Sequence, residues 1–215
     1  MGTGKTTNAV AIAYWMRELF ELPVISVGTT VGLTDKFGAF THVSTKVFIE
    51  QMMLMATIAN EIIEHKIAED DVDTYLRWCK ETRGLLLYRC IILVDEFYKL
   101  CDARNPSNRL NLAFLTFIAQ MRHYHCTLLC MTPNPRNVDS RVRDQLRWHC
   151  RPDRDPDEDG VYNLRFQGPD GKLFMKINGP DYAGRYPKDP ERMFNSWAFT
   201  GFNIKSLEKV LAKDV

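Results

Sequence analysis

Nowhere does the sequence gather the 18 or so consecutive apolar residues that a membrane span requires. An N-terminal basic stretch followed by an apolar run, the mark of a secretory leader, is missing as well. Excess charge of either sign is almost absent: 28 Lys and Arg oppose 27 Asp and Glu, a formal net of +1. The molecule as a whole therefore does not advertise a polyanionic partner, and any basic footprint has to be local. No CxxC pair occurs among the cysteines Cys79, Cys90, Cys101, Cys126, Cys130 and Cys150. With the pair spacing of a structural zinc site absent and no secretory signature, reduced thiols in a cytosolic compartment are expected. His123 and His125 stand near Cys126 and Cys130, but the two cysteines bracket an apolar run and read as packed small hydrophobes. No internal repeat is visible.

What is present suits one α/β domain with a small appendage. Hydrophobic residues make up 45% and charged residues 26% of 215 positions, enough to bury a full core. Apolar positions recur at helical spacing over 7–20, 45–65 and 109–121, with Ser44 a helix cap for the second. The methionines Met52, Met53 and Met55 read as core packing. A further helix is expected over 70–82, acidic at its start and basic at its end. Strands are expected at 23–28, 90–97 and 126–132, a short basic helix at 139–147 capped by Asp139 or Ser140, and a last core strand at "RWHC", 147–150. Gly28, Gly32 and Gly38 mark a loop. After the charged loop 151–160, "VYNLRFQ" and "KLFMKI" flank "GPDG" and predict a β-hairpin over 161–177. An irregular stretch over 178–195 and an amphipathic segment at 204–212 close the chain. The alternation predicts a mostly parallel sheet covered by helices, with a core over 1–150 and a hairpin and tail over 151–215.

One half of a motif is conspicuous at the start. Gly2-Thr3-Gly4-Lys5-Thr6-Thr7 matches the second half of the phosphate loop G-x-x-x-x-G-K-[ST]. Backbone N–H groups of such a turn converge on phosphates at a helix N-terminus. Lys5 would reach the β- and γ-phosphates of ATP and Thr6 would ligate Mg²⁺. The loop's first glycine and the strand before it are not in the sequence, which implies that Met1 is an internal methionine and that the first strand lies upstream.

A second element answers the first. Ile91-Ile92-Leu93-Val94 is an apolar run ending in Asp95-Glu96. Carboxylates at the C-terminal end of a parallel strand lie where open α/β sheets bind ligands. Asp95 would complete the Mg²⁺ shell, and Glu96 would orient and deprotonate an attacking water. The alternative is that Asp95 simply caps the turn. At the end of the next strand Thr132 or Asn134 would sit beside the γ-phosphate, within a turn that Pro133 and Pro135 demand in any case.

The series GTGKTT, ILVDEF, a helix ending Arg122-His123, a strand ending near Thr132, and then "NVDSRVR" at 137–143 resembles the FtsK–HerA branch of P-loop ATPases. It is most similar there to zonula-occludens-toxin-like phage proteins and to viral genome-packaging ATPases, over about residues 2–150. That resemblance implies a RecA/ASCE-like P-loop fold and Mg²⁺-dependent ATP hydrolysis. It further implies a homo-oligomeric ring around double-stranded DNA and an arginine finger supplied by a neighbour. Arg122, Arg141 and Arg143 are the candidate fingers. This family usually ends its fourth strand in Thr-Gln, where this chain has Thr132-Pro133-Asn134, leaving Asn134 as the nearest amide.

Local charge fits a polyanionic partner. Residues 104–154 hold nine arginines, no lysine and three aspartates, a local excess of six positive charges. Arg136, Arg141, Arg143, Arg147, Arg151 and Arg154 crowd together, and arginine forks suit phosphate oxygens. With no base-reading motif, contact with the DNA backbone would be sequence-independent. The leading expectation is an ATP-driven motor moving double-stranded DNA into a capsid, at a capsid or portal vertex, in the host cytoplasm or on the virion. Alternatives are a conjugation, segregation or helicase-type DNA pump, a toxin-like morphogenesis or secretion ATPase, and a nucleotide-binding protein that no longer hydrolyses. A small-molecule kinase shares the loop, but the Asp95-Glu96 pair favours activating water over a substrate hydroxyl.

Overall fold

A computed structural model describes residues 5–28, 40–146, 149–154, 162–167 and 173–177. Gly2, Thr3 and Gly4, Gly32 and Gly38, the "GPDG" turn, and the expected segments at 178–195 and 204–212 lie outside the described residues.

Helix α1 (Lys5–Phe20) leads through a three-residue link into strand β1 (Val24–Val27). Strand β2 (Phe40–Val43) and helix α2 (Thr45–Glu64) follow. Ser44 caps α2 by accepting the Val47 N–H at 3.2 Å. Helix α3 (Glu69–Arg83) carries Glu69, Asp70 and Asp71 in its first turn and Lys80 and Arg83 in its last, matching the helix dipole. Gly84 terminates it in the left-handed conformation with φ 68°, a geometry that costs glycine little. Strand β3 (Ile91–Val94), helix α4 (Arg109–Gln120) and strand β4 (Thr127–Cys130) complete the sheet layer.

The four strands are ordered β2-β1-β3-β4, all parallel, as the alternation of helices and strands predicts. Alternate side chains split between the two faces. One face places Val24, Ile91, Leu93 and Leu129 with Ala9, Ala13 and Met16 of α1. The other places Ile25, Val27, Ile92 and Val94 with Phe48, Met52 and Met55 of α2 and Phe114 and Phe117 of α4. A sheet sandwiched between helices on both faces favours apolar side chains, which is why β3 reads as a continuous apolar run and β1 as one interrupted by the small, buried Ser26. Rings interlock across the second layer: Phe48 meets Phe117 at 5.6 Å and Phe114 meets Phe97 at 5.2 Å, both edge to face. Met52 and Met55 are fully buried, so the methionine stripe is core.

Two expectations need correction. Phe40–Val43 is a strand inside what the sequence reads as a glycine-marked loop. Only Phe40 and Val43 face the core while Thr41 and His42 are exposed, so the segment has no apolar run to betray it. The segment 147–150 does not supply a last core strand. His149 and Cys150 open β5 (His149–Arg154), which pairs antiparallel with β6 (Tyr162–Gln167), and β6 with β7 (Leu173–Ile177), in a separate three-stranded sheet. The expected hairpin is therefore β6–β7, extended by a strand that its charged sequence concealed. Helix α5 (Ser140–Gln145) is the short basic helix, capped by Asp139, whose carboxylate accepts the Arg141 N–H at 2.9 Å. Among the described residues, no helix is long and apolar enough to cross a membrane.

Candidate functional site

Register places the site. Val27, Val94 and Cys130 pair across β1, β3 and β4 as the last residues of their strands. Gly28, Asp95 and Met131 therefore emerge side by side at the carboxyl edge of the sheet. Gly28 has φ +94°, a conformation that side chains rarely tolerate, and a Cβ there would stand 3.8 Å from the Asp95 carbonyl oxygen. The Met131 N–H donates to the Val94 carbonyl at 2.9 Å and the Phe97 N–H to the Met131 carbonyl at 2.8 Å, pinning the chain on both sides of the carboxylate pair.

The same edge receives the start of α1. The link of only three residues forces the end of α1 to the amino end of β1. Sixteen residues then carry the helix back roughly 24 Å. The strands it crosses are four residues long, roughly 13 Å. The helix N-terminus, with Lys5 as its first residue, thus reaches past the carboxyl ends of β3 and β4. This brings the described end of the phosphate motif to the side of the sheet that carries Asp95-Glu96. The side chains of Lys5, Thr6 and Thr7 lie outside what the structure describes, as do Gly2, Thr3 and Gly4.

Local geometry gives the two carboxylates different surroundings. Asp95 Oδ1 accepts the Glu96 N–H at 2.8 Å, so the capping role read as an alternative is present and leaves Oδ2 for another partner. Glu96 is left-handed at φ 48°, ψ 42°, and its carboxylate pairs with Lys99 one turn on. That pair is more than a third exposed on both sides, and Lys99 is pushed above its usual range by the hydrogen bond to Glu96. An exposed Lys–Glu pair holds its partners weakly, so the Glu96 side chain sits on a tether that breaks at little cost. The i,i+3 spacing of Glu96 and Lys99 was legible in the sequence and was missed.

Asn134 lies beyond β4. Its Oδ1 accepts the Arg136 N–H at 3.0 Å, capping the turn at 135–137, and Thr132 Oγ1 donates to the Asn134 carbonyl at 3.1 Å. The turn demanded by the two prolines is there, and the Asn134 amide nitrogen is not used in it.

The three candidate fingers are separated. Arg122 sits in the turn at 121–124 that leads into β4, at the amino edge of the sheet, opposite the carboxylates. Burial lowers its pKa, and its Nε lies 3.3 Å from His123 Nε2. It does not join Asp95-Glu96 within one chain. Arg141 is held by Asp139, Nε to Oδ1 at 3.1 Å and Nη2 to Oδ2 at 2.8 Å, and also donates to the Pro106 carbonyl. Arg143 donates to the Pro135 carbonyl at 3.3 Å. The 141–143 pair thus follows the carboxyl end of β4. Arg147 and the side chains of Arg151 and Arg154 lie outside the described residues.

Cys126 is buried and Cys130 half-buried, both packed on the core. Burial raises both thiols well above the ordinary range.

A family model described as "ATPase family associated with various cellular activities (AAA)" matches residues 1–151. Among solved structures, the N-terminal domain of zonular occludens toxin from Neisseria meningitidis is similar. It has 15% sequence identity over 86% of this chain and 94% of that chain, with a TM-score of 0.47. No curated protein matches.

Proposed function

The chain belongs to the AAA family of ATPases, and from that premise we propose that it hydrolyses ATP with Mg²⁺ to move double-stranded DNA as a homo-oligomeric ring. The observation that carries the hydrolytic part is the convergence at one sheet edge: the start of α1, which holds the Lys-Thr-Thr end of the Gly-Thr-Gly-Lys-Thr-Thr motif, and the Asp95-Glu96 pair after β3. A helix N-terminus favours phosphate, and Lys5 adds a full charge for the terminal phosphates. Thr6 and Asp95 offer the hard oxygen donors that Mg²⁺ prefers, and Asp95 keeps one carboxylate oxygen outside its turn. When bound, the ion would neutralise charge between the β- and γ-phosphates.

Glu96 then takes the proton of a water aimed at the γ-phosphorus. The water oxygen bonds to phosphorus, the bond to the β–γ bridging oxygen breaks, and ADP and phosphate leave. Glu96 is suited to this because its partner Lys99 is exposed and can release it. Arg122, Arg141 or Arg143 of a neighbouring copy would stabilise charge developing on the transferred group. Asn134 would lend its amide to the γ-phosphate or the water.

The local arginine excess, in a chain whose formal net charge is only +1, supports a duplex partner over a small substrate. Viral genome packaging is the setting this combination suits best. The test is ATP turnover with and without duplex DNA, alongside Lys5→Ala. Wild type should turn over ATP faster with duplex, and Lys5→Ala should lose nucleotide binding. Turnover indifferent to DNA would favour a morphogenesis or secretion role, and full nucleotide binding by Lys5→Ala would sink the phosphate-loop assignment.

A further inference from the structure

We propose that a cleft between the 103–106 loop and the 136–143 segment seats a backbone phosphate of duplex DNA. The inference rests on the DNA reading above and gives it a place. Arg136, Arg141 and Arg143 line this one cleft together with Pro106, Asp139 and Ser140. Its two walls are fastened to each other: the Ala103 N–H donates to the Asn137 carbonyl at 2.9 Å, and Asp102 bridges Val138.

The arginines divide into one fixed fork and two available charges. Asp139 is buried and grips Arg141 through both carboxylate oxygens. Asn111, also buried, donates to the same carboxylate at 3.3 Å and to the Asp102 and Asn105 carbonyls at 2.9 and 3.0 Å, fixing the loop wall. The hydrogen bond from Arg141 holds the Asp139 carboxyl below its usual range, so the grip persists through neutral pH. Arg141 and Asp139 cancel in charge. Among the described residues Arg136 and Arg143 have no carboxylate partner, so the cleft keeps two uncompensated positive charges. The Ser140 hydroxyl adds a neutral group able to donate.

The cleft holds about 220 Å³ and opens to solvent, so one phosphate fits with its sugar and base outside. Planar guanidinium groups meet phosphate oxygens in pairs, and phosphate contacts position a protein without reading sequence.

The test is fluorescence anisotropy of a labelled mixed-sequence duplex with the full chain, without nucleotide, across a salt series. The double variant Arg136→Gln/Arg143→Gln should weaken binding at least tenfold. It should also make the slope of log affinity against log salt shallower by about one, since the cleft seats one phosphate and each phosphate contact contributes about 0.9. Lys66→Gln removes a positive charge from an exposed residue between α2 and α3, away from the cleft, and should change affinity less than twofold. Unchanged thermal midpoints show that the variants fold. A double variant with wild-type affinity and slope overturns the cleft, as does a Lys66→Gln variant weakened as much as the double variant. A third arm adds ATP to Lys5→Ala: displacement of the duplex would assign the cleft to a nucleotide's phosphates and overturn the proposal. Failure of wild type to bind duplex removes the DNA reading together with the cleft. Loss of duplex binding in the double variant of a protein that hydrolyses no ATP would uphold the cleft and reject only the hydrolytic reading.

Discussion

At the amino edge of the sheet, Asp73 of α3 gathers four partners. Tyr88 donates to it at 2.6 Å, Arg77 at 2.7 Å and Arg89 at 3.2 Å, and His125 Nε2 stands 3.4 Å away. At the carboxyl edge, Asp95 accepts one backbone N–H and Glu96 holds one exposed lysine. Both edges contain carboxylates and cations, but one arrangement is closed and the other open. A closed network ties helix α3 to the starts of β3 and β4 and has little capacity left for a ligand. The open edge has unspent acceptors beside a helix N-terminus. The carboxylates proposed for catalysis thus differ from the structural Asp73 in how many partners they already have.

Several substitutions would break or sharpen that contrast. The largest stability effect is expected from Phe114→Ala, since Phe114 is fully buried and touches the rings of Phe48, Phe97 and Phe117. Denaturant unfolding should show a loss of about 3–5 kcal/mol. Because Phe97 follows Glu96 directly, the open edge should loosen too, and ATP turnover should fall with stability. Next in size is Asp73→Ala, which leaves the buried Tyr88 hydroxyl without its main acceptor. It should cost about 2 kcal/mol by urea unfolding while ATP affinity stays at the wild-type value. A changed ATP affinity would show that the two edges are coupled.

Acid should act on the closed edge first. Burial would raise the Asp73 carboxyl, but hydrogen bonds from Tyr88 and Arg77 and the charge of Arg89 together hold it below 3.8. A depressed folded pKa means stability present above the unfolded value and lost as pH falls through the folded one. Burial lowers His125 below 6.5 against the pull of Asp73. The unfolded chain therefore takes up that proton first, and stability declines as pH falls below about 6.5. Both groups act in the same direction. Asp73→Asn should flatten the steep loss below about pH 4 and, by removing the charge that pulls His125 up, deepen the histidine-linked decline, as read by melting temperature against pH. The smallest effect belongs to Lys99→Ala, which cuts only an exposed pair and should leave the urea midpoint where it was. A shifted midpoint would mean that the open edge is braced after all.

The sequence disclosed the parts whose physics is local. Helices α2 and α4 show apolar periodicity, Ser44 caps α2, α3 carries the dipole charges, and β1, β3 and β4 are short, mostly apolar runs between breakers. It hid β2, whose two outward residues are polar, and β5, whose residues 151–154 read as a solvated loop until a partner strand pairs them. At the site, Asp95-Glu96 was legible because an apolar strand ends in two carboxylates. The position of Arg122 was not: it lies only five residues before β4, yet a strand carries the chain to the far edge before Thr132 is reached. Arg141 looked like a free finger candidate, and only the fold showed the buried Asp139 and the Pro106 carbonyl that hold it. Sequence neighbours along a strand are spatial opposites across a sheet, and no composition signal reports that.

The central claim is that the open carboxyl edge performs hydrolysis through Glu96. Its most direct test is Glu96→Gln, with ATP affinity and single-turnover hydrolysis measured on the same preparation. The substitution keeps shape and removes the proton acceptor. The account predicts wild-type ATP affinity with hydrolysis slowed by about 10²–10⁴-fold. Hydrolysis within a factor of two of wild type would contradict it.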